Sequence, residues 1–270
     1  MRCCRPLLGT YVEIEADSVE AIEAGFAAIA KIHALMSAHD PDSELSRINR
    51  FGHESPVEVS GETRRVVERA LHWSRESGGA FDVVGAGSKS FASGRIPRHR
   101  GQPTPRAEDF SAMSLSDDGV RLLEPACLDL GGIAKGFAVD QAVATMRCAG
   151  AERGFVNAGG DLFAFGPNPW PVAVVHPLTR RPLVEVELRD EALATSALFA
   201  DGSADHLPAS AGWMSVSVRA ANACDADALT KVAWALGHRS AGVLTAAGAA
   251  AFAIRSDGAV EAIESMAAAA

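Results

Sequence analysis

The chain has 270 residues, 48% hydrophobic and 22% charged, the composition of an ordinary folded protein with room for one large domain or two small ones. Its 25 Lys and Arg against 34 Asp and Glu give a formal charge of -9, which argues against a broad nucleic-acid-binding surface but not against a local phosphate site. No uncharged apolar run reaches the ~20 residues that a membrane helix needs. Residues 1–10 carry Arg2 and Arg5 without the apolar stretch of a signal peptide. Cys3, Cys4, Cys127, Cys148 and Cys224 form no C-x-x-C pair, so they read as reduced thiols in a cytoplasmic protein.

Along the chain, residues 11–15 alternate apolar and acidic side chains as a strand does. Ser18 is placed to cap a helix with Ile22, Phe26, Ile29 and Met36 on one face. Residues 39–49 (HDPDSELSRIN) are polar, broken by Pro41, and read as turn. A second amphipathic helix is predicted over 62–77, ending at Gly78-Gly79, and residues 85–102 read as an irregular surface loop. A strand follows at 119–123, and residues 129–150 open as a glycine loop and continue as a helix. Short strands are predicted at 154–157, 162–165, 172–175, 183–188 and 214–219. Asp225 stands where a cap belongs on a helix over 225–236, closed by Gly237; strands near 249–255 and 259–263 finish the fold, and 267–270 read as frayed. Strands in close succession with helices in blocks favour an α+β fold over a doubly wound sheet.

The densest chemical signal is Asp129-Leu130-Gly131-Gly132-Ile133-Ala134-Lys135-Gly136. Adjacent glycines allow close backbone approach, a helix start offers unpaired N–H groups, and Lys135 adds a mobile positive charge, so a phosphate cradle is one reading and a tight turn the other. Asn157-Ala158-Gly159-Gly160-Asp161 reads first as a hairpin turn, with a bare backbone for a flat ring or phosphate as the alternative. Gly78-Gly79-Ala80-Phe81-Asp82 reads first as a helix C-cap. Asp227 and Lys231 lie four residues apart on one helix face, either as a surface ion pair or as a carboxylate beside a cation or a Lys that replaces one. His176 and His206 stand out among the histidines, the first at a strand end before Pro177 and the second in a polar loop between strands. Neither a zinc-hydrolase motif nor a G-x-S-x-G elbow is present.

In this order, and with Leu8-Gly9-Thr10, His39 to Asn49, Trp170, Ala194-Thr195-Ser196 and Ala226-Asp227-Ala228-Leu229, the motifs resemble the ApbE family of FAD:protein FMN transferases over essentially the whole chain. The resemblance implies an α+β fold of mixed or antiparallel sheets with packed helices (T-fold-like), a single domain over 5–265, and FAD and Mg²⁺ as cofactors. It also implies transfer of FMN from FAD to a Thr or Ser hydroxyl of a partner flavoprotein, releasing AMP, with no nucleic-acid or membrane partner. Gly79, Phe81, Asp82, Asp129, Gly131, Gly132, Asn157, Gly159, Gly160, Asp161, His176, Thr195 and Ser196 are thereby implied to line FAD, with Lys135 facing the pyrophosphate. Asp227, a carbonyl at Gly132 and Thr230 are implied to hold the metal, and His206 to take the acceptor's proton beside Lys135 and Lys231.

The family usually has a threonine where this chain has Lys231, and the segment at His206 lacks the family's aspartate. Lys231 could exclude the metal, substitute for its charge, or point away while Thr230 helps. Two alternatives share the phosphate site: an FAD-binding protein without transfer, and hydrolysis of FAD to FMN and AMP with water as acceptor.

Overall fold

The computed structural model describes residues 1–198 and 212–263. His206 and residues 267–270 therefore lie outside the described residues. In chain order the elements are β1 (Arg2–Leu7), β2 (Thr10–Ala16), α1 (Val19–Met36), α2 (Glu44–Phe51), α3 (Gly61–Glu76), α4 (Val83–Ala92), β3 (Met113–Ser116) and β4 (Gly119–Leu122). After them come α5 (Ala134–Cys148), β5 (Gly154–Ala158), β6 (Asp161–Phe165), β7 (Trp170–Val175), β8 (Pro182–Leu188) and β9 (Glu191–Ala197). The last are β10 (Trp213–Ala220), α6 (Ala223–Leu236), α7 (Ala241–Ala246), β11 (Ala250–Arg255) and β12 (Val260–Ile263). They form two compact units, Met1–Ile29 with Lys135–Ala270, and Ala30–Ala134. No helix among the described residues is long and apolar enough to cross a membrane.

The first unit is built on an antiparallel sheet in the order β1-β2-β5-β6-β9-β10-β11-β12, an α+β arrangement as the strand spacing predicts. The separate β7–β8 ribbon contributes Val174 and Leu188 to a core with Leu162, Ala164, Leu193 and Ile254. α6 packs on β6, β9 and β10. It is buried nearly throughout, from Ala223 to Trp234, because its alanines let the helix lie close to the sheet. Ser18 caps α1 as predicted, its hydroxyl accepting the Ala21 N–H at 3.1 Å.

The second unit packs α2, α3 and α4 with the β3–β4 hairpin, and two stretches read from sequence as turn and loop are helical here. Within 39–49, Ser43 accepts the Ser46 N–H at 3.0 Å and starts α2, which buries Leu45 and Ile48 on one face. Polar composition hid a two-residue apolar stripe. Within 85–102, α4 forms because Asp82 caps it, and Gly87 serves packing: a Cβ there would lie 1.9 Å from the Cys127 carbonyl oxygen. The helix predicted from 225 starts at Ala223, with Asn222 rather than Asp225 as its cap. Strands β1, β3 and β9, and helix α7, were not anticipated from sequence.

Candidate active site

The N-termini of α5 and α6 meet within the first unit. A Cβ on Gly136 would lie 2.1 Å from the Ala223 carbonyl oxygen, so this approach requires glycine. Asp140, one turn further along α5, accepts the N–H groups of Ala223 at 2.7 Å and Cys224 at 2.8 Å. Asn222 and Asp225 complete the cap reciprocally, each bond 2.8 Å. These contacts deliver Asp227 to the start of α5.

Asp227 is fully buried. Its Oδ1 accepts the Lys231 ammonium one turn along α6. Its Oδ2 accepts the Gly136 N–H at 3.2 Å and lies 3.5 Å from Lys135 Nζ. Lys135 Nζ lies 2.6 Å from Oδ2 of Asp161, at the start of β6. Asp161, Lys135, Asp227 and Lys231 thus form an alternating line of four charges. Burial opposes ionisation of Asp227, but Lys135, Lys231 and the Gly136 N–H outweigh it and hold its pKa below the usual carboxylate range. Burial and the charge on Asp227 push Asp161 the other way, against the pull of Lys135 and Lys231. Two carboxylates a short distance apart titrate as a linked pair, so these opposite directions belong to the network.

Other residues singled out from sequence hold backbone in place. Gly159 and Gly160 (φ 68° and 104°) make the two-residue turn between β5 and β6, and Asn157 Oδ1 accepts the Gly160 N–H at 2.9 Å. His176 Nδ1 accepts the N–H groups of Leu178 at 3.2 Å and Thr179 at 3.3 Å, fixing the β7–β8 turn. Thr195 pairs with Ser217 at 2.8 Å, and Ser196 with Thr230 at 2.7 Å.

In the second unit, Gly79 (φ 84°) closes α3, its N–H donating to the Ser74 carbonyl at 2.8 Å. Phe81 is buried in the core. Asp82 accepts from Val84 at 2.8 Å, Gly85 at 3.0 Å and Phe110 at 3.1 Å, so the carboxylate expected at FAD is committed to a helix cap. Asp129 accepts the Gly131 N–H at 2.9 Å and the Ser90 hydroxyl at 2.6 Å, shaping the turn that contains Gly132. Asn49, part of the His39-to-Asn49 motif but given no role there, has an amide that exchanges hydrogen bonds of 3.1 and 2.7 Å with the Leu128 backbone beside the Asp129 turn. Gly136 closes the quoted Asp129-to-Gly136 motif and Asp140 falls in the helix read over 129–150, neither with a role assigned from sequence; Gly136 three residues after Ile133, at a helix start, was the available signal.

A divalent cation at Asp227 does not fit the donors as they stand. Both Asp227 oxygens are engaged, Oδ1 by the Lys231 ammonium and Oδ2 by the Gly136 N–H and the Lys135 ammonium. The Thr230 hydroxyl donates to the Asp227 carbonyl at 2.7 Å and meets Ser196 on its other side. Among the described residues no group of three His, Cys, Asp or Glu side chains is placed to hold a metal.

The sequence profile of the ApbE family matches residues 8–253. The chain belongs to the ApbE family. A Treponema pallidum protein named FAD:protein FMN transferase is 29% identical over 259 residues, 81% of this chain and 72% of its own length. A Haemophilus influenzae protein of the same name is 31% identical over 171 residues, 57% of this chain; the match spans about half, 49%, of that relative. Among solved structures, the flavin transferase ApbE from Vibrio cholerae superposes with a TM-score of 0.83 at 25% identity, covering 97% of this chain and 96% of its own. The ApbE protein from Thermotoga maritima gives 0.81 at 25% identity, with 97% and 96% covered. The ApbE-like α+β fold expected from the motif order is the fold found.

Proposed function

We propose that this ApbE-family chain is an FAD:protein FMN transferase, acting as one domain over 5–265 on FAD and on a Thr or Ser hydroxyl of an acceptor flavoprotein. The observation that carries the reading is the buried line Asp161, Lys135, Asp227, Lys231, whose cationic members are its more exposed ones, at 24% and 12%. Fixed positive charge suits a pyrophosphate, because phosphoryl transfer asks a protein mainly for positioning and charge stabilisation. The named relatives support the same chemistry.

In the step, the acceptor hydroxyl oxygen bonds to the FMN phosphorus and the bridging P–O bond to AMP breaks. The bond's electron pair leaves with AMP, and the hydroxyl proton passes to a base, the role that the resemblance gives His206. Lys135 and Lys231 hold charge on the phosphates throughout. The Mg²⁺ of the family resemblance would add Lewis-acid charge at the same place; since the donors at Asp227 do not fit it, no step is assigned to it.

The test incubates the chain with FAD and an acceptor domain carrying the Thr or Ser, in Mg²⁺ and in EDTA. A fluorescent acceptor and one AMP per label are expected. Lys135→Met, checked for a wild-type melting curve, lowers the labelling rate about 100-fold or more. Bound FAD with an unlabelled acceptor in both conditions overturns the reading.

A further inference from the structure

We propose, resting on the transferase reading above, that the Lys231 ammonium takes the place of a divalent cation at Asp227, so that this chain binds FAD and transfers FMN without a metal ion. The placement follows from α6: residues four apart share a helix face, and Lys231 reaches Oδ1 of Asp227 without leaving it. The other Asp227 oxygen is held by the Gly136 N–H, and Gly136 is fixed by its contact with Ala223. The neighbouring hydroxyl, Thr230, is closed on both sides by the Asp227 carbonyl and Ser196.

Charge makes the same point. Asp161 and Asp227 are buried, with side chains 3% and 0% exposed, and two lysines neutralise them. Adding a divalent cation would leave two uncompensated positive charges in a site with little water, one of them against the Lys231 ammonium. Without the metal the four charges balance, and the two ammonium groups are the more exposed members of the line. An ammonium carries three donors on a flexible stem, so Lys231 can bond Asp227 and a phosphate oxygen together. The transfer still balances: the new P–O bond forms to the acceptor hydroxyl, the bridging P–O bond breaks toward AMP, and the hydroxyl proton leaves through solvent or base. Both lysines stay protonated and no redox change occurs.

The test uses the full chain, freed of metal by EDTA, with Mn²⁺ as the probe read by electron paramagnetic resonance and FAD affinity read by fluorescence quenching. The wild type with FAD is expected to take up no stoichiometric Mn²⁺ and to bind FAD equally in EDTA and in Mg²⁺. Lys231→Met, with an unchanged melting curve, weakens FAD binding in EDTA by about tenfold or more. Lys231→Thr takes up one Mn²⁺ per chain. One Mn²⁺ per wild-type chain, or a wild-type FAD affinity that falls about tenfold in EDTA, overturns the proposal with no variant needed. A Lys231→Thr variant that melts normally and takes up no Mn²⁺ overturns it too. If the wild type binds FAD in EDTA, takes up no Mn²⁺ and labels no acceptor, the transferase reading falls, and metal-free transfer with it, while the placement of Lys231 in the cation's position for FAD binding stands.

Discussion

Asp140 carries opposed forces on one side chain. The N–H groups of Ala223 and Cys224 favour its charged form, yet burial, helped by Asp225, pushes it from 3.8 up to about 7. Raised above its unfolded value, the group keeps its proton in the folded chain where the unfolded chain has lost it. Its contribution to stability is therefore fullest below about pH 4 and is lost as pH rises toward 7. Asp140→Asn removes that slope: urea midpoints of the wild type fall relative to those of the variant across this window, and parallel curves would contradict the assignment. Asp227 behaves oppositely because lysines surround it, so residue type alone does not set the direction; the neighbours do.

Gly136 shows how packing overrules propensity within an element. In an exposed helix, Gly→Ala gains about 1 kcal/mol. Here the new Cβ meets the Ala223 backbone 2.1 Å away, and neither helix terminus can yield without breaking the Asp140 bonds. Gly136→Ala is expected to cost about 3 kcal/mol by urea denaturation, because overpacking against backbone exceeds the propensity gain. Gly61→Ala is the control, at the first residue of α3 with nothing within 4 Å of the added methyl. It is expected to be neutral or slightly stabilising. Equal losses at both positions would remove the close approach from the explanation. The same competition explains α4, where Gly85 and Gly87 suggested a loop: the Asp82 cap and contact with Cys127 made a helix of it.

For the whole molecule, the charge of -9 and the local pair of lysines give separate expectations. A phosphate site made of two partly exposed ammonium groups and a glycine-bearing helix start needs no basic surface. At roughly physiological salt the chain should leave duplex DNA unshifted in a gel while quenching FAD fluorescence. A DNA shift that competes with FAD would show that the net charge misled. The motif order spans the molecule as well. Single motifs such as Asn157 to Asp161 were ambiguous in sequence, and as a hairpin turn this one remains ordinary. Their sequence over 8–253 identified the family.

The sequence by itself determined the family, the α+β class, the cap and buried face of α1, the end of α3 at Gly78-Gly79, and most strands, because these depend on local periodicity and on motif order. It also exposed the Asp227–Lys231 pair, since four residues along a helix is a local distance. It left open which reading of Lys231 holds. Only the tertiary structure decided that Lys135 reaches Asp161 and Asp227, the latter 92 residues away, that Asp82 and His176 secure turns and caps, and that both oxygens of Asp227 are engaged. The physical reason is range: spacing fixes neighbours within a turn of helix or along a strand. The partners of a buried charge depend on which distant segments the packing brings together.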